Sequence, residues 1–283
     1  MARPKRLRKP QAPKRPKSID PRDYQRVPGP VGAMPKEFPD GFVIAPHRHE
    51  RAQLLYASVG TMRVITDDGT WVVPPLRALW IPAATEHEIR MCGAVAMRTL
   101  YVAPTAAPWL PARCTVIEVS GLLRELILEA MREPVEYRLD GRTTLVMALL
   151  IEELRRAETV PLRIPMPRDR RLLALCRALL DRPESDDSLE RWAERVHASS
   201  RTLSRLFRHE TGMSFVAWRQ QVRLAEALSR LALGQPVGAV ARDLGYASAS
   251  AFSAMFRRAL GATPRLYLQR TGRVTPAPSF EAV

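Results

Sequence analysis

The chain has 283 residues, a formal net charge of +15 and an isoelectric point near 10.7, a length for two domains with separate cores and a charge that points to an anionic polymer as partner. Cys92, Cys114 and Cys176 are widely spaced and form no CxxC pair, which excludes a disulfide framework or zinc finger and fits a reducing, cytoplasmic setting. No apolar run approaches the ~18 residues of a membrane helix, so no membrane is expected as a partner.

Residues 1–35 hold eight prolines and little apolar content, and read as a disordered basic tail. Residues 1–17 alone carry eight Lys or Arg and no acid, without the apolar segment that a secretory signal needs. Residues 18–166 carry seventeen basic against eighteen acidic residues, whereas 167–273 carry nineteen arginines against ten acids. The positive field therefore belongs to the tail and to the C-terminal third, and an Arg-rich genome would not produce that asymmetry.

From Phe38 to Ala103 short apolar runs (QLLYAS, TMRVIT, TWVVP, ALWIP, HEIRM, AMRTLYVA) alternate with turns, among them Asp67–Gly69, a hairpin signal. This spacing predicts a small antiparallel all-β barrel or double sheet over 36–115. Within it, GFVIAPHRHERAQLLYASVG (Gly41–Gly60) resembles the first motif of the cupins, and PAATEH (Pro82–His87) is similar to their second. His47, His49, Gly60 and His87 match those motifs. Gln53 stands where metal-binding cupins usually carry Glu, Ala84 takes a glycine place and Met91 replaces the usual Asn.

His47 and His49 share one strand face, and His87 from a later strand would complete a facial set for a divalent transition metal, with Gln53 as a weak neutral fourth ligand. Strict alternation puts Arg51 on that face too, where it disfavours a cation and favours an anionic effector. Three readings stay open: a metal site, a metal-free small-molecule effector pocket (His47, His49, Arg51, Gln53, His87, with Trp71, Trp80 and Tyr56 as wall), and histidines that only fill the barrel.

SGLLRELILEAMRE (Ser120–Glu133) and RTTLVMALLIEELRRAE (Arg142–Glu158) carry apolar residues at helical spacing. Residues 116–160 are thus a helical region. Its stripe of Leu145, Leu149, Leu150 and Leu154 is a candidate homodimer surface, or else packs within the chain. Residues 161–167 complete VPLRIPMP, a proline-rich interdomain linker.

Residues 168–270 then read twice as a helix-turn-helix, with a tail over 271–283. In SLERWAERVHASSRTLSRLFRHETG (Ser188–Gly212) and PVGAVARDLGYASASAFSAMFRRALGATP (Pro236–Pro264) a short helix carries a central Ala (Ala193, Ala241). A Ser (Ser199, Ser248) then caps a second helix that ends at a Gly (Gly212, Gly261). A long helical pattern, Phe215 to Leu233, lies between; it would span roughly 28 Å, close to the ~34 Å of one duplex turn.

These motifs, together with RLAEALSRL, FSAMFRRALG and TPRLY, resemble the AraC/XylS-type transcription regulators over about Arg168 to Arg270. Members of that family commonly carry a cupin-like barrel ahead of an all-α domain with two helix-turn-helix units. The resemblance implies a sequence-specific regulator that binds double-stranded promoter DNA and senses a small molecule or metal. A cupin metalloenzyme fused to a DNA-binding domain is the alternative.

The outward faces assign the DNA contacts. Ser199, Ser200, Arg201, Ser204 and Arg205 head the first recognition helix, with Arg201 and Arg205 suited to bidentate guanine contacts and Arg208 to phosphate. Ser248, Ala249, Ser250, Ser253 and Ala254 are small and read few base edges, while Arg242, Arg257 and Arg258 serve phosphates.

Overall fold

A computed structural model of the chain describes residues 17–271 except 138 and 161. Nine strands form the N-terminal sheet of the described residues: β1 (Val31–Phe38), β2 (Val43–His47), β3 (Ala52–Thr66), β4 (Gly69–Val73), β5 (Arg77–Ile81), β6 (His87–Val102), β7 (Thr115–Glu118), β8 (Thr159–Val160) and β9 (Arg163–Ile164). All pairings are antiparallel.

Two pairs of runs expected as separate strands are each one long strand. QLLYAS and TMRVIT merge into β3, HEIRM and AMRTLYVA into β6. β3 bends where its register against β6 slips between Ala57 and Thr61. Gly60 sits in that bend at φ +76°, where an added Cβ would lie 2.3 Å from the Ala94 carbonyl oxygen; only glycine fits.

Because β3 and β6 bend, each serves two layers. One layer runs β1-β6-β3-β5-β7-β8; in the other, β2 joins the first half of β6, and β4 with β9 joins the second half of β3. Their inward residues meet: Leu55, Leu79, Ile81, Met97 and Tyr101 from the first, Met62, Val64, Trp71, Ile89 and Met91 from the second. Residues one position off that alternation face the opposite way. Leu54, Tyr56, Trp80 and Leu100 lie under α1 (Gly121–Ala130) and α2 (Arg142–Arg156), against Leu123, Ile127, Met147, Leu150 and Leu154. Tyr56 and Trp80, expected at the pocket wall, therefore belong to the helix-covered side.

Two boundaries differ from expectation because distant partners order proline-rich sequence. Residues 18–35 are no tail: Tyr24 is fully buried with its hydroxyl donating to the Ser18 carbonyl at 2.6 Å, and Val31 to Phe38 pair with β6 in continuous register. Residues 1–16 and 272–283 lie outside the described residues. The expected linker likewise contributes β9, with Leu162 and Ile164 buried.

The C-terminal half is all helical: α3 (Arg170–Asp181), α4 (Leu189–Arg195), α5 (Ser200–Thr211), α6 (Phe215–Ala232), α7 (Val237–Asp243), α8 (Ala249–Leu260) and α9 (Pro264–Thr271). It docks on the outer face of the second layer. Val72, flanked by inward Trp71 and Val73, points outward and joins Leu172, Leu175 and Trp218 in one buried cluster. Arg63, the register partner of Val72, donates to the Leu180 carbonyl at 2.9 Å and pairs with Asp181 at 3.3 Å.

Candidate nucleic-acid interface and sensor site

The two helix-turn-helix units repeat atom for atom at the turn. Ala198 N donates to the Ala193 carbonyl at 2.9 Å, and Tyr246 N to the Ala241 carbonyl at 3.0 Å, an offset of 48 residues in both donor and acceptor. His197 and Gly245, at the same offset, both take left-handed backbone, φ +51° and +74°. The second turn then needs one residue more: α7 follows α4 by 48 positions but α8 follows α5 by 49. Sequence reasoning missed the His197/Gly245 position; the Gly of DLGY was the available signal.

Ala193 and Ala241 are buried where the paired helices cross. Ser199 Oγ accepts from Thr202 N and Ser248 Oγ from Ala251 N, both at 3.1 Å, so each recognition helix starts on its serine. Gly212 and Gly261 close them in left-handed conformation. Leu203 and Phe207, and likewise Phe252, Met255 and Phe256, fix the inner faces.

The outer faces differ. On α5, Arg201, Arg205 and Arg208 are exposed beside half-buried Ser200 and Ser204. Among the described residues none of the three arginines has an acidic partner within ion-pair distance. On α8, Ala249, Ser250 and Ala254 are exposed and Ser253 half-buried, with Arg257 and Arg258 exposed in the last turn. Arg242 is exposed on α7, 3.4 Å from Asp243. The 18-residue α6 between the units spans ~27 Å.

In the sheet domain, His47, His49 and His87 come together. Their ring centroids are 4.3 Å (His47–His87), 4.8 Å (His47–His49) and 5.5 Å (His49–His87) apart, and one nitrogen from each lies within 4.8 Å of the others. β2 supplies His47 next to His87 at the start of β6, through a register shift between Ile44 and His47. Ala84, in the turn before His87, holds φ +60°, which explains why a glycine is the usual occupant of such a place.

His47 Nδ1 lies 2.8 Å from the Ala45 carbonyl and His87 Nδ1 2.9 Å from the Thr85 carbonyl. A carbonyl only accepts, so both Nδ1 atoms carry a proton. Burial, followed by the neighbouring imidazoles, lowers the His49 pKa to about 3; burial first, against a raising bond to Thr85, lowers that of His87 to about 4. Both rings are neutral at neutral pH.

Gln53 is buried, and as the register partner of Tyr101 shares its face of the sheet; the Tyr101 ring lies 4.9 Å from that of His49. Tyr101 was not legible as a member of this site. Arg51 is the correction. Its guanidinium donates to the carbonyls of Gln25, Gly29 and Val27 at 2.9, 2.9 and 2.5 Å, so it clamps the segment before β1 instead of entering the pocket. Three satisfied charge-assisted bonds outweigh any pull from the imidazoles.

Compared with known proteins, residues 192–270 match the family model of a helix-turn-helix domain and residues 38–216 that of an AraC-like ligand binding domain. The chain is similar to the HTH-type transcriptional regulator NimR of Escherichia coli (strain K12), 34% identical over 230 residues that cover 81% of this chain and 84% of that one. It is similar to the arabinose operon regulatory protein of the same organism, 31% identical over 130 residues, 44% of each chain. A solved DNA-binding domain of AdpA, described as a global transcriptional factor in complex with a target DNA, is 32% identical, with a TM-score of 0.32, over 33% of this chain and 86% of that chain. No helix among the described residues is long and apolar enough to cross a membrane.

Proposed function

The chain belongs to the AraC family of transcription regulators, with a ligand-binding N-terminal half and a helix-turn-helix DNA-binding half, and we propose that its first recognition helix reads promoter bases while its second mainly positions the protein. The observation that carries this is the contrast in side chains on two matching scaffolds. Arg201 and Arg205, one turn apart on α5 and without acidic partners, have the reach and fork geometry for guanine edges. Ser199, Ser200 and Ser204 lie beside them at the helix start, where hydroxyls and free backbone N–H groups suit phosphate.

On α8 the side chains that would face bases are Ala249, Ser250, Ser253 and Ala254. They allow close approach and contact with a thymine methyl, but carry little hydrogen-bond information. Arg242, Arg257, Arg258 and Arg208 serve phosphates, and α6 sets the two helices about one duplex turn apart.

The pocket around His47, His49 and His87 is the effector site of this reading. The sheet domain that carries it meets the DNA half directly: Val72 and Arg63 against α3, the Trp218 indole donating to the Pro165 carbonyl at 2.7 Å, and the Arg77 guanidinium 4.9 Å from the Tyr267 ring while it pairs with Glu118 at 3.5 Å. An effector that prefers one domain arrangement shifts the population toward it. Leu145 and Leu149 on α2 and Leu122 on α1 are exposed while Leu150 and Leu154 are buried, so the outer half of that stripe supports a homodimer contact.

Footprinting of the full-length chain on DNA upstream of its own and neighbouring genes tests the reading. Protection of two successive major grooves on one duplex face is expected. Uniform protection without preference for any segment would contradict it.

A further inference from the structure

We propose that Arg223 is a positioning residue: it clasps the turn of the second helix-turn-helix unit to the loop that leads into the first, and so fixes how the two recognition helices stand to one another. The inference deepens the reading of two DNA-contacting units and rests on it.

The need for a clasp follows from how α6 is shared. Phe215, Trp218 and Val222 lie in one buried cluster with Leu203 and Phe207 of the first unit. Leu224, Ala227 and Leu228 lie in another with Val240, Leu244 and Phe252 of the second. The two units therefore hang from one rod on separate apolar cores. A helix holds distance along its axis, yet long helices bend, and a single rod restrains rotation of one unit about the other only weakly. A lateral contact away from the axis removes that freedom.

Arg223 stands on the seam, between Val222 of one core and Leu224 of the other. Its half-buried guanidinium donates from Nε to the Pro183 carbonyl at 2.9 Å, and from Nη2 to the carbonyls of Glu184 and Ser185 at 3.1 and 3.0 Å. Those residues form the loop between α3 and α4, at the entrance of the first unit. The same guanidinium lies 5.6 Å from the ring centroid of Tyr246, in the turn of the second unit. One cation thus touches both units, with its N–H groups on carbonyls and its charge over an aromatic ring.

The backbone approach agrees. At Gly245, next to Tyr246, an added Cβ would meet the Glu184 carbonyl oxygen at 3.1 Å and Arg223 Nη2 at 3.3 Å. Tyr246 is held in turn by its N–H bond to the Ala241 carbonyl and by the Phe252 ring 5.3 Å away, so its position carries over to α8.

Arg219, one turn earlier on α6, supplies the contrast. Its Nη1 donates to the Asp187 carbonyl of the same loop at 3.2 Å, but its ring contact is Phe215, 5.2 Å away and within the first unit. Arg219 steadies the loop, whereas Arg223 joins the loop to the second unit.

Distances between spin labels on the two recognition helices of the full-length chain provide the test. His209→Cys on α5 and Ala259→Cys on α8, both exposed positions, carry the labels in a Cys92→Ser background, since Cys114 and Cys176 are buried. Expected is a narrow distance distribution for this parent, a broader one for Arg223→Gln, and an unchanged one for Arg219→Gln. Arg223→Lys, which keeps the charge but loses the fork, should fall between, and it carries the test if the Gln variant does not fold. Affinity for a duplex selected by the wild-type chain should drop by about tenfold in Arg223→Gln, with base preference under α5 unchanged, because ordering the second unit becomes a cost of binding. A distribution as narrow in the Arg223 variants as in the parent, or equal broadening by Arg219→Gln, would overturn the clasp. A footprint confined to the first unit would instead defeat the two-unit reading, on which the distances, read without DNA, do not depend.

Discussion

The two helix-turn-helix units share a backbone and diverge in what they present. Both pivot on a buried alanine, both start a recognition helix on a serine cap, and both end it on a left-handed glycine. Yet one exposes Arg201, Arg205 and Arg208, while the other exposes alanines and a serine until its last turn. The repeat thus fixes where the helices lie, and the outward residues decide how much sequence each can read. Scaffold and readout are separable here, and each can be broken without the other.

The largest effect should come from the first unit's arginines. Each lost bidentate pair costs about 1–3 kcal/mol, so Arg201→Ala with Arg205→Ala should lower affinity for the preferred site by a factor between roughly thirty and twenty thousand. Binding titrations against preferred and scrambled duplexes would show this loss together with a collapse in preference. An equal loss on both duplexes would assign those arginines to phosphate.

Next is the scaffold. Gly245 has φ +74°, and a Cβ there would lie 3.1 Å from the Glu184 carbonyl oxygen, so Gly245→Ala should destabilise the protein by about 1–2 kcal/mol in chemical denaturation. His197 already tolerates the same region as a non-glycine residue. His197→Gly exchanges relieved strain for unfolded-chain entropy and should stay within about 0.5 kcal/mol of wild type. Equal destabilisation by both changes would mean that the two turns are less alike than their hydrogen bonds indicate.

A smaller loss, about 1 kcal/mol each, is expected for Ser199→Ala and Ser248→Ala in the same assay, because each removes a cap from one otherwise similar helix. The smallest effect belongs to the phosphate contacts. Arg257→Ala and Arg258→Ala should each reduce the salt slope of DNA binding by about 1 while preserving the preferred sequence. A changed preference would show that the second unit reads bases after all.

The helical half was legible because its signals are local. Serine caps, terminal glycines and the i, i+3, i+4 stripes of Leu203–Phe207 and Phe252–Phe256 act within a turn or two of their own position. The sheet half was legible only in part. QLLYAS and TMRVIT looked like two strands because Gly60 reads as a turn, whereas in the fold it allows a bend within one strand. Residues 18–35 looked like tail because what orders them, the β6 register and the Arg51 clamp, lies far along the chain. Arg51 was misplaced for the same reason: alternation gives a face, and it cannot reveal three carbonyls waiting there. The histidine triad was visible from its motifs, but Tyr101 beside His49 was not, because no local pattern joins a strand end to a residue about fifty positions earlier.

Selection of preferred sites from a randomised duplex pool by the full-length chain, scored for base preference position by position, bears most directly on the division of labour. The expected outcome is a sharply defined segment under α5 and a weakly defined one about a helical turn away under α8. Two segments of equal definition, or the sharper one under α8, would contradict it.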